Sequence, residues 1–207
     1  MPELLPLFLN LTGRDVLLVG GGRVAESKLR QLLAAGARVR VVAPAIATSI
    51  REPSVVLVER GFEPADLDGV WLVVAAATPA VNRVVAEAAE TRRIFVNAVD
   101  DPANATAFLS GVVRRDGVTL AISTSGDAPA LTALLRESLD EVLPRDLAAW
   151  VSTARDQRIE WRRTAVPMEA RKPLLLRALN SLYRPAADRP DGDHRVPWLS
   201  GPEDSWL

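Results

Sequence analysis

Cysteine is absent from this 207-residue chain. That excludes disulfides, thiolate metal sites and a cysteine nucleophile. Histidine is nearly absent: the only one, His194, stands in the C-terminal tail. Proton transfer in the body of the protein must fall to carboxylates, lysine, tyrosine or the substrate itself. No charge of one sign dominates. Lys and Arg number 25 against 26 Asp and Glu, for a formal net charge of −1, so no basic field points to nucleic acid. No apolar run approaches the roughly 20 residues that span a bilayer. The start, Met1-Pro2-Glu3-Leu4-Leu5, lacks the basic region of a signal peptide. The expectation is a cytoplasmic protein with no nucleic-acid partner, no membrane partner and no protein-built metal site.

What is present is a core. Hydrophobic residues make up 48% of the chain and charged residues 25%, the balance of a globular domain. The most informative stretch is Val16-Leu17-Leu18-Val19-Gly20-Gly21-Gly22-Arg23-Val24-Ala25. It reads as a buried strand, a glycine turn and the start of a helix. Gly20-x-Gly22-x-x-Ala25 fits the dinucleotide-binding pattern with alanine in third place. Gly20 allows the turn, Gly22 leaves room for a pyrophosphate, and Ala25 lets helix and strand pack closely. Helix N–H groups and the positive dipole end would face the phosphates. The bland alternative is a glycine turn without a ligand; the strand–turn–helix context favours the cofactor.

The rest of the first half repeats the strand–helix rhythm. Leu29, Leu32 and Leu33 share one face of the first helix, and Gly36 ends it. Strands are expected at 39–43, 55–58, 71–77 and 94–97. Thr78-Pro79 starts a second helix whose stripe is Val81, Val84, Val85 and Ala88. Leu5, Leu7, Leu9 and Leu11 alternate, which suggests an edge segment over the sheet. This gives an α/β fold: a Rossmann-type doubly wound parallel sheet over residues 1–112. NAD sites usually carry an acid after the second strand, to hold the ribose. Here that stretch is Val42-Ala43-Pro44-Ala45, so the choice between NAD and NADP stays open.

After Asp100 the pattern changes. Runs at 108–113 and 118–122, joined by Arg114-Arg115-Asp116-Gly117, suggest a hairpin. A polar loop, Ser123-Thr124-Ser125-Gly126-Asp127-Ala128-Pro129, leads into a helix that Pro144 ends. This small α+β unit, 113–145, would bury little alone, and pairing with a second copy is expected. Residues 146–184 read as a helical domain of two or three helices; from 151 to 184 basic residues exceed acidic ones by five. The stretch 185–207 turns to Pro, Asp and Gly and reads as a disordered tail.

With these motifs in hand, the chain resembles precorrin-2 dehydrogenase, the stand-alone form of the N-terminal module of sirohaem synthase. The matching stretches run in family order over about residues 3–145. They are Leu5-Pro6-Leu7-Phe8, Val19 through Lys28, Gly36-Ala37 through Ala43-Pro44, and Ala76-Ala77-Thr78 with Asn82. Asn97-Ala98-Val99-Asp100, Ala121 through Gly126 with Pro129, and Leu134-Leu135-Arg136 follow. The family's larger members continue into a methyltransferase module, and this chain is expected to stop short of one. The resemblance implies hydride transfer from precorrin-2 to NAD, giving sirohydrochlorin, in a homodimer. Some members also insert ferrous iron, and the sequence leaves that step open. Arg23 and Val24, with Pro44 and Ala45, match the family's cofactor contacts; Ala76 and Thr78 join them on the carboxyl edge of the sheet. Asp100 matches the essential aspartate. Ser110-Gly111 departs from the family's usual Pro-Ser.

Each assignment has a plainer rival. Asp100 is either a proton acceptor in the cleft or a turn cap beside Asp101-Pro102. Ser123, Thr124 and Ser125 either hydrogen-bond a substrate carboxylate or cap a helix. The substrate carries eight carboxylates in the family's chemistry, so cations are needed. Arg114 and Arg136 are the first candidates, with Arg115, Arg162, Arg163, Arg171 and Lys172 behind them; the rival reading is solvated helix faces. Lys28 reads as a surface residue. Two other functions compete. One is a regulatory module that binds NAD and catalyses nothing. The other, short-chain dehydrogenase chemistry, lacks its Tyr-x-x-x-Lys pair, since Tyr183 is the only tyrosine.

Overall fold

The computed structural model describes residues 3–183. The tail expected to be disordered, with His194, lies outside the described residues. The chain divides into two compact units. The first is Met1–Gly111 with Ile122–Leu135; the second is Val112–Ala121 with the chain from Arg136.

The first unit is built on five parallel strands: β1 (Asp15–Val19), β2 (Arg38–Val42), β3 (Val56–Val58), β4 (Leu72–Ala75) and β5 (Phe95–Ala98). Their spatial order is β3-β2-β1-β4-β5. That is the doubly wound arrangement, with its reversal point between β1 and β4. Valine and leucine fill both faces of the central strands, as burial on two sides demands. Helix α1 (Arg23–Ala34) covers one face, where Ala25, Leu29 and Leu32 meet Val16, Leu18, Val39, Val41 and Val74. Helix α2 (Pro79–Glu90) covers the other, where Val85 and Ala89 meet Leu17, Val19, Val73, Ala75 and Val96. After β5 the chain crosses onto the α1 side, and Val99, Ala107 and Leu109 pack against that core.

Two expectations are corrected. The alternating leucines of the lead-in form no strand. Leu11 is buried, but Leu5, Leu7, Phe8 and Leu9 are exposed. β1 already has neighbours on both sides, so no open edge awaits the residues before it. Trp71 also falls outside β4. It stands at the strand's amino end, beneath the Arg14 guanidinium 4.0 Å from the ring centroid.

The hairpin is β6 (Gly111–Arg115) and β7 (Val118–Ile122). Asp116 and Gly117 both have positive φ, 50° and 85°. That is the twisted two-residue turn that closes hairpins. Helix α3 (Pro129–Val142) follows, and it runs from one unit into the other. In the second unit Arg115 bonds Asp140 at 2.7 Å and the Leu143 carbonyl at 3.0 Å, which ties the hairpin to the helix end. Helices α4 (Leu147–Arg163) and α5 (Met168–Ser181) complete it, with Leu147, Trp161 and Leu179 buried. The Trp150 indole N–H donates to the Tyr183 hydroxyl at 2.5 Å. Among the described residues no helix is long and apolar enough to cross a membrane.

Candidate functional site

The strands that form the centre of the sheet end level with one another. Val19 is opposite Ala75, and Ala75 is opposite Ala98. The residues just beyond them, Gly20, Ala76 and Val99, therefore form one rim. The Ala76 N–H donates to the Val19 carbonyl at 2.8 Å, and the Val99 N–H to the Ala75 carbonyl at 2.9 Å.

The glycine turn is held from both sides. Gly20 has φ +131°, and a Cβ there would stand 2.3 Å from the Ala76 carbonyl oxygen. A Cβ on Gly21 would stand 2.0 Å from the Ala45 carbonyl oxygen, and the Ala47 N–H bonds the Gly21 carbonyl at 2.9 Å. Gly20 and Gly21 are thus fixed against the segments after β4 and β2. Gly22 differs: nothing lies within 4 Å of where its Cβ would be. It is the N-cap of α1, with no side-chain cap, and the first helical bond runs from the Glu26 N–H to its carbonyl at 3.0 Å. The N–H groups of Arg23, Val24 and Ala25 precede that bond and have no carbonyl acceptor inside the helix. Open space, unclaimed donors and a helix dipole at one point fit a pyrophosphate. Pro44, Ala45, Arg23 and Val24 are exposed around it.

A cleft of about 600 Å³ opens beside this turn. Val24, Ala76, Pro79, Asn82, Arg83 and Asp100 are among its walls. Thr78 caps α2, its hydroxyl accepting from the Val81 N–H at 3.5 Å. The buried Asn82 accepts from the Ala77 N–H at 3.1 Å and so fixes the loop after β4. Asp100 has φ +56°, a left-handed backbone on a non-glycine residue. Such strain persists only where its surroundings impose it, and it gathers at functional sites. The neighbouring turn, Pro102–Asn104, is served by Asp101, which accepts from the Asn104 amide at 2.8 Å. Asp100 makes no hydrogen bond with any described residue and is exposed to the cleft.

The Ser123–Ser125 loop belongs to the same unit. A Cβ on Gly126 would stand 3.1 Å from Pro102 Cγ, so the loop lies against the turn that follows Asp100. Thr124 Oγ1 accepts from the Ala128 N–H at 3.2 Å and lies 2.9 Å from Thr132 Oγ1, which commits it to the start of α3. Ser123 Oγ accepts from the Ser125 N–H at 3.1 Å. The Ser125 hydroxyl makes no bond with a described residue, and Ser125 has φ +55°. Arg114 and Arg136 lie in the second unit. Arg114 is exposed, and Arg136 is paired with Glu137 at 3.0 Å.

Residue-by-residue reading passes over Arg83 and gives Lys28 as a surface residue. Arg83 lines the cleft from the second turn of α2. Lys28 is half-buried rather than a surface residue. Burial pushes its ammonium below the ordinary lysine value, and the Asp100 carboxylate partly offsets that. A four-residue spacing from Val24 is the signal that could have found it. No group of three or more His, Asp or Glu side chains positioned to hold a metal is found among the described residues.

The comparisons with known proteins agree with this geometry. A family model described as "Putative NAD(P)-binding" matches residues 7–111, half of the chain. The chain belongs to that family. The siroheme synthase of Citrobacter koseri is 47% identical over 148 residues, covering 69% of this chain and 32% of the relative. That of Salmonella arizonae is 42% identical over 173 residues, covering 81% and 38%. The chain thus spans about a third of the length of these curated relatives. Among solved structures, "SirC, precorrin-2 dehydrogenase" aligns with a TM-score of 0.69 and 26% identity. It covers 87% of this chain and 92% of that one. The resemblance drawn from the motifs, to the precorrin-2 dehydrogenase family, is borne out, as is the Rossmann-type sheet.

Proposed function

We propose that this protein oxidises precorrin-2 to sirohydrochlorin with NAD, a step in sirohaem synthesis. The observation that carries the reading is the strained, exposed Asp100 in a cleft whose neighbouring wall is a dinucleotide cradle. The match to SirC over nearly its whole length supports the substrate. Gly20, Gly22, Arg23 and Val24 hold the cofactor, with Pro44 and Ala45 on the adenosine side and Ala76 and Thr78 on the cleft side. NAD, when bound, supplies the hydride acceptor. Oxidation removes one hydride and one proton from the macrocycle, and Asp100 takes the proton. Ser125 offers its open hydroxyl to a substrate carboxylate; Ser123 and Thr124 shape the loop. Arg114 and Arg136 supply cationic partners for further carboxylates.

Insertion of ferrous iron into the product belongs to the same proposal, with the nitrogens supplied by the macrocycle. A homodimer formed through α3 also belongs to it. Leu131, Leu135, Leu139 and Val142 are exposed along that helix at spacings of three and four. A cytoplasmic location completes the reading, in keeping with a chain free of cysteine.

The test is anaerobic turnover of precorrin-2 with NAD, followed by the absorbance of sirohydrochlorin. Asp100→Asn keeps a residue that tolerates left-handed backbone and removes only the charge. The expected loss is about 10²–10⁴-fold in kcat, the range of a proton-transfer group. Wild type that binds NAD but leaves precorrin-2 unchanged refutes the enzyme and favours the regulatory module. Sirohaem forming faster than in a protein-free control after ferrous iron is added establishes the second step.

A further inference from the structure

Lys28 is one of only two lysines in a chain whose basic residues number 25. It stands on α1 four residues after Val24, which lines the cleft. Residues at that spacing share a helix face, and their Cα–Cβ bonds tilt toward the helix amino end. The amino end of α1 is the glycine cradle, so the Lys28 side chain leans back along the face that Val24 presents to the cleft. The half-buried ammonium makes no hydrogen bond or ion pair with any described residue. A cation taken partly out of water without a partner is unfavourable, and an arriving anion removes that deficit. Asp100 is close enough to attract it without touching it. Arg30, two residues further along α1, is by contrast partnered by Glu26 at 3.3 Å.

We infer that Lys28 is a substrate-binding residue: its ammonium takes a carboxylate of the tetrapyrrole on the α1 side of the cleft, beside Asp100. This rests on the reading given under Proposed function. A cofactor phosphate is the other anion at hand. It belongs at the first turn of α1, however, and Lys28 is set one turn further along, about 6 Å up the axis. Lysine suits the place as a compact charge on a flexible stem. Helix α1 also shares its core with Val99, Ala107 and Leu109, the segment that carries Asp100.

The experiment compares wild type with Lys28→Met, Lys28→Arg and, as a control on the same helix, Arg30→Met. Five quantities are measured: KM and kcat for precorrin-2, Kd for sirohydrochlorin by anaerobic titration, Kd for NAD by calorimetry, and the thermal midpoint. Lys28→Met should raise KM and the sirohydrochlorin Kd about tenfold, the loss of one hydrogen bond to a charged group. NAD affinity and midpoint should hold, Lys28→Arg should recover most of the binding, and Arg30→Met should match wild type. Unchanged tetrapyrrole affinity in Lys28→Met, with wild type turning over, overturns this inference alone. A selective loss of NAD affinity overturns it in favour of the phosphate, and a fall in midpoint with both ligands weakened overturns it in favour of a structural role. Wild type that binds NAD but no tetrapyrrole overturns the parent reading and this one with it.

Discussion

The three consecutive glycines illustrate how neighbouring residues of one type do separate jobs. Gly20 and Gly21 are glycine because carbonyl oxygens of Ala76 and Ala45 occupy the space of a side chain. Gly22 has open space and an ordinary φ of −96°, so the protein itself does not require it to be glycine. Its smallness serves the ligand. Gly22→Ala should leave the thermal midpoint nearly unchanged and weaken NAD binding at least about tenfold, or about 1.4 kcal/mol. Gly20→Ala should lower both, because backbone must move to admit the methyl group. Calorimetric titration and thermal unfolding of the two variants separate the roles. A Gly22→Ala protein that binds NAD like wild type would remove the pyrophosphate from this turn. The glycine pattern was legible in the sequence. The backbone strain at Asp100 and Ser125 was not, because a left-handed φ on Asp or Ser leaves no mark in composition or period. Lys28 escaped for a related reason: the Asp100 carboxylate that acts on its ammonium is 72 positions away on a different element.

At the scale of elements, the parallel strands were readable because burial on both faces demands unbroken apolar runs, and β1 and β4 have them. Edge strands read less well. β3 is only Val56–Val58, with Val56 exposed, and its apolar run alone could not fix its length. The edge beside it is held by charge. Asp66 is buried in the short turn Pro64–Leu67. It accepts two bonds from Arg60, at 2.7 and 2.8 Å, and one from the Glu63 N–H at 2.9 Å. Arg40 of β2 donates to its backbone carbonyl at 2.7 Å. The Arg60 guanidinium holds the Asp66 carboxyl below the usual aspartate value. A carboxyl depressed on folding stabilises above its unfolded pKa, and that contribution is lost as pH falls through the folded value. Asp66→Asn should therefore cost about 2 kcal/mol near neutral pH, the loss of charged hydrogen bonds in a buried place. The gap should narrow as pH falls below about 4, the ordinary aspartate value, and close as it passes through the lower folded one. Urea unfolding of both proteins across that range measures it; a gap independent of pH would assign the loss to packing.

For the whole molecule, the open question of assembly rests on α3. The exposure of Leu131, Leu135, Leu139 and Val142 along it is seen only in three dimensions. Leu135→Arg with Leu139→Arg should convert a dimer into a monomer in light scattering, while circular dichroism keeps the helical signal. A wild type that already runs as a monomer at micromolar concentration would end the dimer reading. The order in which the chain visits its two units has a further consequence, for synthesis. All five strands of the parallel sheet, with α1 and α2, are encoded by residue 98. The sheet can therefore close on the ribosome while the remainder is still being made, within about ten seconds at common elongation rates. The Ser123–Ser125 loop belongs to that sheet's unit, yet the chain must first leave at Gly111 and return at Ile122. The nascent protein thus acquires its dinucleotide cradle before the Ser123–Ser125 loop, and a bound cofactor can steady the domain while that loop is still to come.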